Sequence, residues 1–216
     1  MLQAGDVTGK VTLKGDAPAE KEISPLSKDP NCSKYYSKPV TTRHYVVGAG
    51  KELANVFVYV KKGLEGKTFP APAEKPVMDQ KACLYQPYVL GARAGHPVVI
   101  KSSDEFMHNV NFAASKTGND TFNFAQTRAG QSNEKIFKNA EVFVKLQCNV
   151  HPWMFGYIGV VDSPYYAVTD TSGKYTIAGL PDGKYTLAFA HLKAGEVLQE
   201  VDVKDGATVN ATLEIK

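Results

Sequence analysis

The sequence lacks the features that mark membrane, nucleic-acid-binding and helical proteins. None of its apolar runs reaches the length of a membrane span. Its 25 Lys and Arg side chains nearly balance its 22 Asp and Glu side chains and form no basic stripe, which argues against nucleic acid as a partner. Apolar residues nowhere recur with a helical period over several turns. The start, MLQAGDVTGK, has no hydrophobic signal core, so any signal peptide is expected to have been removed.

Short segments rich in β-branched and aromatic residues take the place of helices. ANVFVYV, EVFVKLQC and KYTLAFA alternate apolar with other residues, and TSGK, LPDGK and VKDGA supply turns between such segments. With 216 residues, the chain is long enough for one large β domain or two small ones. The pattern predicts an all-β protein of the sandwich type.

One stretch, CNVHPWM at residues 148–154, carries a thiol, an imidazole and a thioether. Cys148 follows the alternating segment EVFVKLQ on the side of its apolar residues, so we expect a buried thiol at the end of a strand. His151 and Met154 follow in a short loop, and DEFMHNVNF supplies a second histidine, His108. Two His, one Cys and a weak Met ligand form a blue-copper electron-transfer site, although Cys and His also bind zinc. A buried free cysteine with loop histidines is the alternative without a metal.

MHNVNF, followed about forty residues later by CNVHPWM, resembles the metal-site motifs of the cupredoxins, the type 1 blue copper family of amicyanin and plastocyanin. The likeness covers roughly residues 77–162 and implies a Greek-key β-sandwich holding one type 1 copper ion. It implies four copper ligands, which are His108, Cys148, His151 and Met154.

The same resemblance assigns roles around these ligands. It implies that the carbonyl of Met107 lies opposite Met154, and that the backbone N–H groups of Asn109 and Val150 donate to the thiolate. Because His151 lies in a loop, we also expect its outer edge to reach the surface. Its apolar neighbours are expected either to form a docking rim for a redox partner or simply to pack; they are Phe106, Pro152, Trp153 and Phe155.

A second resemblance covers the two ends of the chain. GDVTGKVTLKGDAP, LANVFVYVKKG and YAVTDTSGKYTIAGLPDGKYTLAFAH are similar to the carboxypeptidase regulatory-like, or transthyretin-like, β-sandwich. This implies a second, smaller sandwich in which residues 1–74 pair with residues 164–216, while residues 75–163 form the cupredoxin domain. An adhesion or partner-binding role for this second sandwich remains open.

The two resemblances predict a one-electron carrier that cycles between Cu(I) and Cu(II), with an unidentified redox donor and acceptor. A copper-binding or copper-tolerance protein without a redox partner is the alternative. Multicopper oxidases and nitrite reductases need a further copper site built largely from histidine, and only His44, His96 and His191 remain outside the motifs. The sequence therefore predicts that the chain is not an enzyme.

Cys32 and Cys83 remain outside the metal motif. They form a disulfide in an oxidising compartment and two free thiols in the cytosol. Because the resemblance to cupredoxins implies a periplasmic or extracellular location, we expect the disulfide.

Overall fold

The computed structural model describes residues 4–215, and β-strands dominate it. In this part of the chain, helix is confined to the five-residue α1, Ser24–Lys28, and a single turn of 3-10 helix, Ser33–Tyr35. Neither has the length or apolar character that crossing a membrane requires of a helix. The predicted all-β fold class is confirmed.

Residues 4–215 contain seventeen strands, numbered here in chain order. They are β1 (Ala4–Lys14), β2 (Phe57–Lys62), β3 (Val77–Lys81), β4 (Leu84–Gln86), β5 (Val89–Arg93), β6 (Pro97–Ser102), β7 (His108–Phe112), β8 (Phe122–Gln126), β9 (Ser132–Ile136), β10 (Glu141–Gln147), β11 (Phe155–Val161), β12 (Tyr166–Val168), β13 (Lys174–Pro181), β14 (Gly183–His191), β15 (Gly195–Val203), β16 (Ala207–Thr208) and β17 (Ala211–Glu214).

The strands belong to two compact units. One unit contains the described parts of Met1–Ala19, His44–Pro70 and Ser163–Lys216, and the other contains Glu20–Arg43 and Ala71–Asp162. The expected boundaries at 74/75 and 163/164 agree with this division to within a few residues, and the main difference lies near the N-terminus. The segment Glu20–Arg43, called the 20–43 segment below, lies in the same unit as Ala71–Asp162, because Leu26 and Cys32 are buried in the core of that unit.

The unit formed by the two ends of the chain has two sheets around one core. One sheet has the order β13-β1-β16, with β17 also paired to β1, and the other has the order β12-β2-β14-β15. Strand β1 runs antiparallel to β13, so the N-terminal and C-terminal strands do pair. Alternate residues of the facing strands, such as Val11, Val58 and Leu187, fill the core. The likeness of this unit to the carboxypeptidase regulatory-like sandwich stays a prediction.

The other unit also has two sheets, with the orders β5-β11-β10-β7-β8 and β4-β3-β6-β9. Its core includes Met78, Ile100, Leu146 and Ile158 from four strands of the two sheets. Strand β10 lies between β11 and β7 and is antiparallel to both. The residues that follow β10 therefore pass alongside the first residues of β7.

A bulge changes the side-chain alternation of β10. Val144, Leu146 and Cys148 are buried, as their shared parity predicts, but Val142 is only half-buried and Glu141 is buried. The register shifts between Glu141 and Val144 against β11, and Phe143 in between has φ +66°. Because a bulge inserts one residue, the alternation changes phase there. The prediction of which β10 side chains point into the core is therefore correct only for the residues after the bulge.

Candidate metal centre

Three of the predicted ligands converge at one end of the five-stranded sheet. The Nδ1 atoms of His108 and His151 lie 3.0 Å apart, and the Sγ atom of Cys148 lies 3.9 Å from each of them. Cys148 comes directly after β10 and His108 is the first residue of its neighbour β7, so strand pairing brings them together. The exposed fractions are 0% for Cys148 and His108 and 6% for His151.

This donor set fits a transition-metal ion. The ligand atoms of His108, Cys148 and His151 lie within 4.8 Å of one another, and their side chains are buried. A thiolate with two imidazoles suits copper or zinc, whereas magnesium and calcium favour oxygen ligands. The residues present therefore fit a copper or zinc ion.

The loop of residues 148–154, called the ligand loop below, closes on itself. The backbone N–H of Cys148 donates to the Met154 carbonyl over 3.0 Å, and the Met154 N–H donates to the His151 carbonyl over 2.8 Å. Met154 ends the loop immediately before β11 and is fully buried. These backbone bonds fold residues 148–154 into a short turn that carries Cys148, His151 and Met154.

Hydrogen bonds favour the thiolate form of Cys148. The backbone N–H of Asn109 lies 3.5 Å from Sγ, in the contact that the resemblance to cupredoxins implies. Burial raises the pKa of Cys148, but the bonds from His108 and from the backbone of Asn109 and His151 outweigh it and lower the pKa below its ordinary value.

The expected second backbone bond to the sulfur, from Val150, is not formed, and the backbone of His151 instead helps to lower the pKa of Cys148. Among the residues that the structure describes, Val150 makes no hydrogen bond to Sγ. Its side chain is 45% exposed, at the outer side of the ligand loop.

Asp104 orients the ring of His108. Its Oδ2 atom lies 2.9 Å from His108 Nε2, and because an ionised carboxylate only accepts, Nε2 carries the proton and Nδ1 is left to bind a metal. Burial lowers the pKa of His108, yet the bonds with Asp104 and Cys148 outweigh it and raise the pKa overall. For Asp104, burial raises the pKa, and the bond from His108 with two backbone bonds brings it below its ordinary value.

Those two backbone bonds come from the turn between β3 and β4. Ala82 N–H donates to Asp104 Oδ1 over 2.6 Å, and Cys83 N–H donates to Oδ2 over 2.8 Å. Ala82 and Cys83 both have positive φ, 53° and 57°. For residues other than glycine this conformation costs roughly 1–2 kcal/mol each. The carboxylate satisfies both N–H groups and so stabilises a strained turn beside the metal centre.

His151 is covered by the 20–43 segment instead of reaching the surface. Its Nε2 atom lies 3.9 Å from Oδ2 of Asp29, and only 6% of the residue is exposed. Burial and then the nearby charge of His108 lower the pKa of His151, whereas the charges of Asp29 and Asp104 raise it by less. The expected open edge of His151 is therefore absent, because this segment packs against it.

The predicted rim residues divide into two groups. The rings of Phe106 and Trp153 lie next to His151, with centroid separations of 6.0 Å and 5.1 Å, and both are partly buried. Pro152 is exposed. Phe155 packs instead against Tyr88 and Tyr157, at 6.1 Å and 6.0 Å. The side chain of Met107 is 48% exposed, although the resemblance gave a role only to its carbonyl.

A disulfide joins Cys32 and Cys83, as the resemblance implied, with 5.6 Å between their Cα atoms. Both residues are fully buried. The bond attaches the 20–43 segment to the turn that Asp104 stabilises. Asp29 and Asp104 were not among the predicted site residues. Asp104 stands four residues before His108 in DEFMH, where its carboxylate was a visible signal, but nothing in SKDPNC connects Asp29 with His151.

Comparison with known proteins gives likenesses only among solved structures. No protein-family model and no curated protein matches the chain. A copper-containing nitrite reductase from Thermus scotoductus SA-01 matches at 20% identity and TM-score 0.37, over 44% of this chain and 24% of that chain. An oxidised point mutant of amicyanin matches at 21% identity and TM-score 0.35, over 48% of this chain and 97% of that chain.

A purple cupredoxin from Nitrosopumilus maritimus matches at 23% identity and TM-score 0.34, over 40% of this chain and 99% of that chain. All three likenesses concern part of this chain and its fold. They do correct one prediction. Because a copper-containing nitrite reductase is among the matches, the prediction that the chain is not an enzyme is wrong as an exclusion, and we withdraw it.

Proposed function

We propose that this protein binds one copper ion in a type 1 site and carries single electrons between a redox donor and a redox acceptor outside the cytosol. His108, Cys148 and His151 would hold the ion, with Met154 as a weak fourth ligand. A bound copper ion would supply the one-electron chemistry by alternating between Cu(I) and Cu(II). The convergence of Cys148 Sγ with the two Nδ1 atoms in a buried cluster is the observation that carries this proposal.

The choice of copper over zinc rests on Met154. A thioether is a soft ligand that suits copper, and it adds little to a zinc site. Met154 is fully buried and its backbone is bonded to both Cys148 and His151, so the loop holds it next to these two residues of the set. A buried thioether in the ligand loop is therefore what we expect of a mixed-ligand copper site.

The choice of electron transfer over copper storage rests on how firmly the ligands are held. Asn109 supports the sulfur, Asp104 supports His108, and the ligand loop is closed by its own backbone bonds. Residues fixed in this way need little rearrangement when the charge of a bound ion changes. Burial of all four side chains also keeps water away from the ligand atoms.

The location outside the cytosol is supported by the Cys32–Cys83 disulfide. Structural disulfides persist in oxidising compartments and are rare where thioredoxin and glutathione keep thiols reduced. The redox partners are proposed only as a class, proteins that exchange one electron.

The experiment is a titration of the metal-free protein with Cu(II), followed by visible spectroscopy. We expect one intense sulfur-to-copper charge-transfer band that disappears with a one-electron reductant and returns on reoxidation. Cys148→Ser should lose the band. His96→Ala, which removes a histidine outside the cluster, is the matched control and should keep it.

Each other outcome decides against part of the proposal. Absence of the band in the parent protein, with tight zinc binding, would replace the copper site with a zinc site. A band that does not survive a cycle of reduction and reoxidation would favour copper binding without electron transfer.

A further inference from the structure

The Cys32–Cys83 disulfide lies against both histidine ligands. Cys32 Sγ lies within 4.8 Å of a ring nitrogen of His151, and Cys83 Sγ lies within 4.8 Å of a ring nitrogen of His108. In each case a carboxylate oxygen completes the group, from Asp29 on the Cys32 side and from Asp104 on the Cys83 side. Each half of the disulfide is thus next to one aspartate and one ligand histidine.

On the Cys83 side, Asp104 joins the disulfide to the ring of His108. Its Oδ2 atom accepts hydrogen bonds from Cys83 N–H at 2.8 Å and from His108 Nε2 at 2.9 Å. Ala82 and Cys83 both have positive φ, so this turn needs outside support. The support comes from the carboxylate and from the covalent bond to Cys32.

On the Cys32 side, Asp29 has the corresponding position. Its Oδ1 atom accepts the N–H groups of Asn31 and Cys32, at 2.8 Å and 2.9 Å, while its Oδ2 atom faces His151 Nε2 across 3.9 Å. That separation exceeds a direct hydrogen bond, so Asp29 acts on the ring through its charge or through one bridging water.

The 20–43 segment has little regular structure to hold Asp29 in place. Its helix α1 has five residues and its 3-10 helix has three, both far shorter than helices that are stable alone. The segment depends on tertiary anchors, which include buried Leu26, the bond from Tyr36 Oη to the Ala82 carbonyl at 2.6 Å, and the disulfide. Two of these anchors end on the Ala82–Cys83 turn.

We propose that the disulfide and the two aspartates form a single positioning device for the metal site. Asp104 fixes the ring of His108, Asp29 fixes the ring of His151, and the Cys32–Cys83 bond holds both carboxylates in register. Loss of the disulfide loosens both rings together. This inference rests on the proposed metal site and concerns how its ligands are oriented, so Asp29 and Asp104 are positioning residues and not ligands.

The test uses Zn(II) alone as a diamagnetic probe, with long-range proton–nitrogen NMR of the histidine rings and a chelator competition for Zn(II). In the parent protein we expect slowly exchanging Nε2–H protons on both His108 and His151. Asp104→Asn should lose the His108 signal, and Asp29→Asn should lose the His151 signal. The double variant Cys32→Ser/Cys83→Ser should lose both and bind Zn(II) about 10- to 100-fold more weakly.

Asp120→Asn is the matched control, because its exposed carboxylate pairs with Lys138 in the same unit. It should change neither signal nor the affinity. A folded double-serine variant that keeps both signals overturns the proposal, and so does one that loses only one of them. If the double variant does not fold, the two single variants decide. The proposal is overturned if Asp29→Asn and Asp104→Asn each keep the Nε2–H signals of His108 and His151.

A copper measurement separates this inference from the proposed function. Removing the negative charge of Asp29 should shift the reduction potential of copper-loaded Asp29→Asn upward, because the nearby anion favours the more positive Cu(II) form. If the parent protein shows no charge-transfer band with Cu(II), the proposed function fails while the Zn(II) experiment still tests the positioning device. If the band is present and both ring signals survive in the variants, only the positioning device fails.

Discussion

The backbone N–H of Asn109 points at the sulfur of Cys148 across 3.5 Å, and the side-chain oxygen of Asn109 accepts the N–H of Asn149 at 2.6 Å. A single residue of β7 thus holds both the thiolate and the residue that follows it. A hydrogen bond to a thiolate draws electron density from the sulfur and weakens its stabilisation of Cu(II). Asn109 therefore contributes to the potential of a bound copper ion.

The position of Val150 gives the first prediction. Because the backbone hydrogen bond to the sulfur comes from Asn109 and Val150 N–H makes none within the described residues, Val150→Pro removes an N–H that does not support the thiolate. We expect the reduction potential of Val150→Pro, measured by cyclic voltammetry, to stay close to that of the parent. A clear fall would show that the Val150 N–H does donate to the sulfur, as the resemblance to cupredoxins implies.

Met154 is the subject of the second prediction. Met154→Leu keeps an apolar side chain of similar volume in a fully buried position but removes the thioether. We expect the variant to bind copper and keep its charge-transfer band, with a higher reduction potential, since a weak donor to Cu(II) is lost. Met78→Leu, a buried methionine of β3, serves as the control and should leave the potential unchanged. Equal potentials for the parent and Met154→Leu would remove Met154 from the ligand set.

The third prediction concerns the surface over the ligand loop. Val150 is 45% exposed beside two ligands, whereas Val77 on β3 is exposed to a similar degree, 39%, and lies in the other sheet of the same unit. Electron exchange between two copies of a carrier needs close approach of their redox centres, through the small interface of a transient encounter. We expect Val150→Glu to slow electron self-exchange, measured by NMR line broadening, without changing the visible spectrum.

Val77→Glu should exchange electrons at the parent rate, because it adds the same charge away from the ligand loop. Equal slowing in both variants would mean that net charge, and not a docking face at the loop, controls the rate.

The fourth prediction uses the buried carboxylate at the bulge of β10. Glu141 accepts hydrogen bonds from Ser115 Oγ at 2.6 Å, Lys116 N–H at 3.0 Å and Asn119 Nδ2 at 3.1 Å. Burial raises the pKa of Glu141, but these bonds outweigh it and lower the pKa. Glu141→Gln should reduce the free energy of unfolding at neutral pH by about 1.5–3 kcal/mol, the contribution of hydrogen bonds to a charged group.

The sign of the pH dependence follows from the lowered pKa of Glu141 in the folded state. Its contribution is fully present above the pKa of about 4.3 in the unfolded chain and is lost as the pH falls through the lower folded pKa. Urea unfolding of the parent and of Glu141→Gln should therefore give a difference that shrinks in acid. Glu134→Gln, which removes a surface pair with Lys75, should change stability by less than about 1 kcal/mol. A difference in unfolding free energy between the parent and Glu141→Gln that stays constant from neutral to acidic pH would contradict the lowered pKa of Glu141.

The sequence by itself determined the strand-rich character of the chain and was enough to propose a candidate ligand set. Alternation within β10 placed Cys148 on the inner side, because side chains of a strand alternate between its two faces beyond the bulge. Softness of the donors then selected copper or zinc for Cys148, His108, His151 and Met154. Both arguments use only local spacing and ligand chemistry, which a sequence states directly.

The tertiary structure decided what surrounds those ligands. Asp29 comes to His151 from a segment more than a hundred residues earlier in the chain, and no local pattern encodes that approach. The bulge at Phe143 likewise buries Glu141 only because β11 pairs with a shifted register. Long-range pairing and the Cys32–Cys83 bond fix which side chains meet, whereas a sequence displays only neighbours along the chain. For that physical reason the candidate ligands could be proposed from the sequence, and the aspartates and the cover over His151 could not.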